Sequence, residues 1–204
     1  MKNKIIIISF IIFSIVYSDT ILVPDDYPSI QFAIDSANEL DTILVSPGSY
    51  QENINFNGKS IVLTSNYEVQ NDSLLISSTI IDGDENGSVV VFNNNEGNNS
   101  VIKGFTLQNG NGFFADPDEN GTFYTYGGGI YCKGSAPTLK DLIITNNSGN
   151  EGGGGGVFCY EASPIIIGCV ISENSTDDVG GGLYARFSNL SISNTKFISN
   201  EADL

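Results

Sequence analysis

Apolar residues along this chain alternate with polar ones in bursts of three to five positions, and the bursts recur. GGGIYC begins at Gly127, GGGVFC at Gly154 and GGGLYA at Gly180, so the spacings are 154 − 127 = 27 and 180 − 154 = 26. Each is followed by an apolar stretch closing on Asn: LIITNN at Asn147, CVISEN at Asn174 and TKFISN at Asn200, with the same two spacings. Pro137 and Pro164 keep the step of 27, KSIVLTSN from Lys59 matches KDLIITNN at three steps, and GFTLQNG from Gly104 is a further copy. It is displaced by an insertion over 111–126. No helical period fits these segments, whereas alternation between Gly/Asn turns predicts short strands.

A unit of strands without a helix, repeating at fewer than about 30 residues, buries its apolar face only by coiling and stacking on its neighbours. The expected fold is therefore all-β, a right-handed parallel β-helix. One inward column reads Ile61, Phe105, Leu142, Cys169 and Thr195, and the next Leu63, Leu107, Ile144, Ile171 and Phe197. Val62, Thr106, Ile143, Val170 and Lys196 between them point outward. Asn66, Asn147, Asn174 and Asn200 either stack as a side-chain ladder inside a turn or sit there because Asn tolerates left-handed turns. Ile30, Ala33, Ile34 and Ala37 follow the helical i, i+3, i+4, i+7 pattern, which predicts a capping helix over Ser29–Leu40 with Ser29 as N-cap. The insertion over 111–126 is expected to loop out from the cylinder. The last coil reaches Leu204 without helix or polar cap, so the chain is expected to be part of a longer protein.

Ahead of the repeats, Met1–Lys4 is basic and Ile5–Val16 is apolar but for two serines. That run is short for a bilayer span. Residues 1–18 read as a signal peptide cut before Asp19, leaving 19–204 as one β-helix domain; a membrane anchor is the competing reading. The chain carries 24 Asp+Glu against 8 Lys+Arg. Losing Lys2 and Lys4 makes the mature charge 6 − 24 = −18. Nucleic acid and anionic membranes are thereby unfavoured partners. With no His, Ser-His-Asp and Cys-His catalysis and His-based zinc sites are excluded. Cys132, Cys159 and Cys169 are an odd number, and Cys132 and Cys159 fall in one inward column as small apolar fillers.

Three groups of residues are candidates for chemistry. Tyr131, Phe158 and Tyr184 alternate with inward residues on consecutive coils, which predicts a solvent-facing row of rings suited to sugar faces or a partner chain, or simply to stacking on one another. Asp82-x-Asp84-x-Asn86-Gly87 and Asp116-x-Asp118-x-Asn120-Gly121 place oxygens on alternate residues before a turn Gly, a spacing that suits weak calcium binding or an acidic turn. Asn93 and Gly127 stand where an EF-hand needs its bidentate Glu. Arg186, the one Arg, follows Asp177-Asp178; without a metal its guanidinium stays protonated, and the segment reads as a solvated charged turn.

Val23 to Ile54, VPDDYPSIQFAIDSANELDTILVSPGSYQENI, resembles the opening of secreted bacterial right-handed β-helix proteins, an opening shared in outline with pectin methylesterases. STIIDGDENGSVVVF, VIKGFTLQNGNG and the GGG units extend the resemblance over the mature chain. GGGI with a downstream FISN is similar to the GGA[ILV] and FxxN repeats of chlamydial polymorphic outer-membrane proteins. The GNVDFIFG-like segment carrying an Asp in the methylesterases is absent, and a polygalacturonase GHG needs a His that this chain lacks. The resemblance implies a secreted or surface-displayed protein, with an outer-membrane location among the options. The expected function is a noncatalytic module binding an extracellular glycan or a surface protein. A polysaccharide-active enzyme, lyase or hydrolase, with catalytic coils beyond Leu204 is the alternative, and a structural spacer a third. No cofactor is expected beyond Ca²⁺ at the two acidic loops.

Overall fold

A computed structural model describes residues 18–67 and 74–203, so the signal segment lies almost wholly outside the described residues. Successive coils visit three parallel sheets in turn, giving a right-handed parallel β-helix. The first sheet stacks seven strands, from Thr20–Val23 to Ser191–Ser193, and the second six, from Gly48–Gln51 to Lys196–Ile198. The third stacks five: Ile54–Asn55, Val90–Phe92, Ile130–Lys133, Val157–Tyr160 and Leu183–Arg186.

Because the pairing is parallel and in register, side chains of one type line up along the axis. Ile81, Leu107, Ile144, Ile171 and Phe197 form the inward column of the second sheet. Leu63, assigned to this column from the repeat, belongs instead to the first sheet with Ile43, Ile102, Leu139 and Ile166. Alternation is the same in every sheet, so periodicity alone does not say which sheet a strand enters. Ile61, Phe105, Leu142 and Cys169 are buried as expected, whereas Thr106, expected outward, is 6% exposed because the short helix Leu74–Ser78 lies over it and takes its hydroxyl at Ile76 O. Phe197 in the last coil is 47% exposed.

The ladder forms from Asn147, Asn174 and Asn200. Asn147 Nδ2 donates to Asn174 Oδ1 at 3.0 Å, and Asn174 Nδ2 to Asn200 Oδ1 at 2.9 Å. Left-handed backbone falls one residue earlier, at Asn146, Glu173 and Ser199, so the ladder asparagines are there for their amides and not for a turn conformation. Asn66 takes no part in the ladder bonds, since the strand that precedes it lies in the first sheet. At the corner leading into the third sheet each triple glycine opens with a positive φ, 61° at Gly127, 70° at Gly154 and 72° at Gly180. A Cβ on Gly155, the second of its triplet, would run into the carbonyls of Ser175 and Gly181 on the next coil.

The amino-terminal cap is the helix Ile30–Ser36, shorter than its apolar pattern. Ser29 Oγ accepts from Phe32 N at 3.3 Å, and both oxygens of Glu52 accept from the first-turn amides of Ile30 and Gln31. The helix stops early because Asp41 captures Asn38 N at 2.8 Å while Lys59 Nζ donates to the carbonyls of Ile34, Asp35 and Ala37. All three cysteines are buried and unbridged. Burial lifts the Cys169 thiol to about 11. Hydrogen bonding to Cys159, then burial, raises that of Cys132. All three side chains are core fillers, and the raised thiols of Cys132 and Cys169 are poor nucleophiles.

Candidate functional site

The insertion folds back on the cylinder. Phe113–Ala115 and Tyr124–Tyr126 pair as an antiparallel hairpin, with Phe113 opposite Tyr126, and the hairpin lies against the outer face of the third sheet. It covers the aromatic row. Tyr131, Phe158 and Tyr184 do point outward in register, as alternation requires, yet Tyr131 and Phe158 are each only 1% exposed. Phe113 packs on Tyr131 at 4.8 Å between ring centroids and Tyr126 on Phe158 at 4.5 Å. The expectation of a solvent-facing row is therefore corrected for two of its three members, because an antiparallel ribbon supplies the apolar surface that solvent would otherwise meet. Tyr184, half-buried, stays at the open margin, 5.8 Å from Phe158.

Covering the row moves aromatic surface outward. Phe114 and Phe123 stack on each other at 5.4 Å on the hairpin and are 67% and 54% exposed. Between the hairpin and the third sheet lies a cleft of about 120 Å³, with Tyr124, Tyr126, Phe158, Tyr160 and Tyr184 among its walls and Glu151, Asp178 and Arg186 as its charges. A larger groove of about 410 Å³ runs along the corner of the second sheet. It is lined by Asn, Ser, Gly and Glu, its Asn147 amide is committed to the ladder, and it has no ring for a sugar or apolar ligand to stack on. The smaller cleft is the better candidate on chemistry.

Electrostatics in the cleft follow from the hairpin turn. Arg186 Nη1 lies 3.0 Å from Asp118 Oδ2, and its guanidinium sits 5.0 Å from the Phe187 ring centroid and 5.9 Å from that of Tyr160. Arg186 and Asp178, expected in a solvated turn, both line the cleft, and Arg186 reaches Asp118 across 68 residues of chain. Burial pushes the Tyr126 hydroxyl up to about 12, with Asp118 and Asp116 adding to the effect, so it stays a neutral donor. Lys133 reaches Glu119 at 3.5 Å, a second and more exposed tie to the same turn.

The two acidic loops do not assemble as cation shells. Asp116 accepts from the amides of Asn120 and Gly121 and so closes its own turn, Asp118 is ion-paired, and Asn120 caps Thr122 N. In the other loop Asp82 accepts from Gln108 Nε2, Asn109 Nδ2 and Asp84 N. Burial alone would raise its pKa, but these three bonds outweigh burial and hold it below the ordinary carboxylate value. Asp84 and Asn86 are exposed. Among the described residues no three His, Cys, Asp or Glu side chains converge as a metal shell would. Oxygens on alternate residues here serve turn amides and neighbouring coils.

No protein-family model matches the chain, and no curated protein does. Among solved structures, a point mutant of pectin methylesterase in complex with a hexasaccharide is similar to it at 12% sequence identity and a TM-score of 0.45. The alignment covers 91% of this chain and 67% of that one. A likeness of that size says nothing about what this chain binds.

Sequence reasoning missed Tyr124, Tyr126, Tyr160 and Glu151 as wall residues. No local signal marks them, since the cleft exists only where the hairpin docks. It also missed Glu96, a 1% exposed carboxylate that accepts from Gly58 N, Asn94 N and Ser135 Oγ and ties three coils together. Among the described residues no helix is long and apolar enough to cross a membrane.

Proposed function

We propose that the protein is a noncatalytic, secreted or surface-displayed β-helix that holds an extracellular glycan against the cleft between hairpin and third sheet. The observation that carries this reading is the set of tyrosine and phenylalanine rings around a cleft open to solvent and rimmed by charge. Rings with a polar edge stack on the apolar faces of sugars while their hydroxyls hydrogen-bond at the rim. In this reading residues 1–18 are a signal peptide and 19–204 one binding domain. The repeats resembling chlamydial surface proteins support display outside the cell, with the outer membrane among the locations this reading includes.

The experiment is affinity electrophoresis against a panel of neutral glycans. Tyr184→Ser and Tyr124→Ser, at half-buried and 37% exposed positions, should lose retention while keeping the unfolding midpoint within a few degrees. Unaltered retention in both would move binding away from the cleft. A second reading, a polysaccharide-active enzyme, is favoured by the presence of Asp178, Glu151 and Arg186 around one cleft. Release of reducing ends or unsaturated products from any of the same glycans, lost in Asp178→Asn, would establish it in place of the first.

A further inference from the structure

The cleft is negative, and its rings stand where a cation is already held. Two carboxylates, Glu151 and Asp178, lie on its wall, and the hairpin turn adds Asp116 and Asp118 close enough for both to act on the Tyr126 hydroxyl. The opposing charge is Arg186, and it is spent: its guanidinium is bound to Asp118 at 3.0 Å and lies over Phe187 and Tyr160. A cation over these rings is therefore part of the native fold, the arrangement expected where ring quadrupoles and carboxylates act together. The remaining rings, Tyr124, Tyr126, Phe158 and Tyr184, line the same space with Glu151 and Asp178, which no second basic side chain in the lining matches.

Size narrows the ligand further. At about 120 Å³ the cleft is smaller than the roughly 300–1,000 Å³ of sites that enclose a whole drug-sized molecule, so it takes one ring or one head group of a longer chain. The mature charge of −18 repels polyuronates at every point of approach and draws in polycations.

We infer that this cleft takes the protonated amine of an amino-sugar residue, one unit of a deacetylated, cationic glycan, in preference to a neutral or an acidic sugar. The inference rests on the glycan-binding reading of the same cleft. Tyr184 and Tyr124 offer ring faces to the pyranose, and Glu151 and Asp178 receive the ammonium. Arg186 stays on Asp118 and holds the hairpin in place.

The test is calorimetric titration of the mature chain at mildly acidic pH, where amines are protonated and carboxylates ionised. Three hexamers of the same length serve as probes: β-1,4-glucosamine, its fully N-acetylated neutral form, and galacturonic acid. The glucosamine hexamer should bind tightest and the galacturonate weakest. The double variant Glu151→Gln with Asp178→Asn should weaken glucosamine binding about fivefold, as expected for two partly exposed charge pairs. It should weaken the N-acetylated hexamer less, because that probe carries no ammonium for the two carboxylates to receive. Glu85→Gln with Glu173→Gln, which removes two carboxylates from the groove on the second sheet, should change neither. Equal loss in both double variants would mean general attraction to an acidic surface and would overturn the inference. So would tighter binding of the neutral or the acidic hexamer, and either of those outcomes leaves glycan binding standing. Failure of all three hexamers to bind a folded chain would remove both readings together.

Discussion

Truncating Asn174 tests whether the ladder, rather than turn conformation, fixes the corner between the second and third sheets. Its side chain is 1% exposed and makes four hydrogen bonds. Oδ1 accepts from Asn147 N at 3.1 Å and from Asn147 Nδ2 at 3.0 Å; Nδ2 donates to Ile144 O and to Asn200 Oδ1, each at 2.9 Å. In Asn174→Ala, Asn147 Nδ2 keeps the carbonyls of Leu107 and Thr145, and Asn200 Oδ1 keeps Asn174 N. Asn147 N–H and Ile144 C=O each lose a buried partner. A stranded buried group costs about 1–3 kcal/mol and an ordinary lost bond about 1 kcal/mol, so the expected loss is about 3 kcal/mol. Equilibrium unfolding in urea, with a slope of about 2 kcal/mol per molar, should show the midpoint fall by about 1.5 M. Coils on either side should lose amide protection first, because a solenoid is held by contacts between neighbours. A midpoint change below about 0.5 M would mean that water replaces the amide in that turn and that the ladder does not hold the coils.

Phe158→Ala should cost about 3–5 kcal/mol by urea unfolding, since this ring is sealed beneath the hairpin; a loss under 1 kcal/mol would return it to the surface. Gly155→Ala should destabilise by more than the roughly 1 kcal/mol that helix or strand propensity accounts for, because the added Cβ meets two carbonyls of the next coil; a neutral midpoint in thermal unfolding would show that the corner can open to admit it. Acid should weaken the amino-terminal cap. The amide of Asp19 first, then Asn38 and Lys59, hold Asp41 below its ordinary 3.8, against an opposing effect of burial. A lowered folded value means stability that is present above the unfolded value and lost as pH falls through the folded one. Hydrogen exchange of the strand Thr42–Val45 should accelerate below about pH 4 in the native chain and vary less with pH in Asp41→Asn; the same acid response in both would assign the loss to other carboxylates.

The sequence alone determined the coil. A step of 26 or 27 residues with alternating apolar positions has one way to bury its inward faces, and the columns through Leu107, Ile144 and Ile171 and the triplet glycines follow from that step without knowledge of any distant contact. The helix start at Ser29 was legible for the same reason, as a capping pattern within one turn. Tertiary structure decided what periodicity cannot carry. Leu63 and Asn66 fit the repeat in spacing, but Leu63 lies in the first sheet and Asn66 in the turn that follows its strand, because early coils differ in length and alternation is identical in every sheet. Whether Tyr131 and Phe158 meet solvent depended on where one non-repeating hairpin docks. The cleft beside Tyr184, with Arg186 bound to Asp118, exists only once that docking brings residues 68 apart into contact. Phe158, Tyr160, Tyr184 and Arg186 keep the step of the repeat, but Tyr124 and Tyr126 come from an insertion that occurs once, and a pattern read along the chain registers only what recurs.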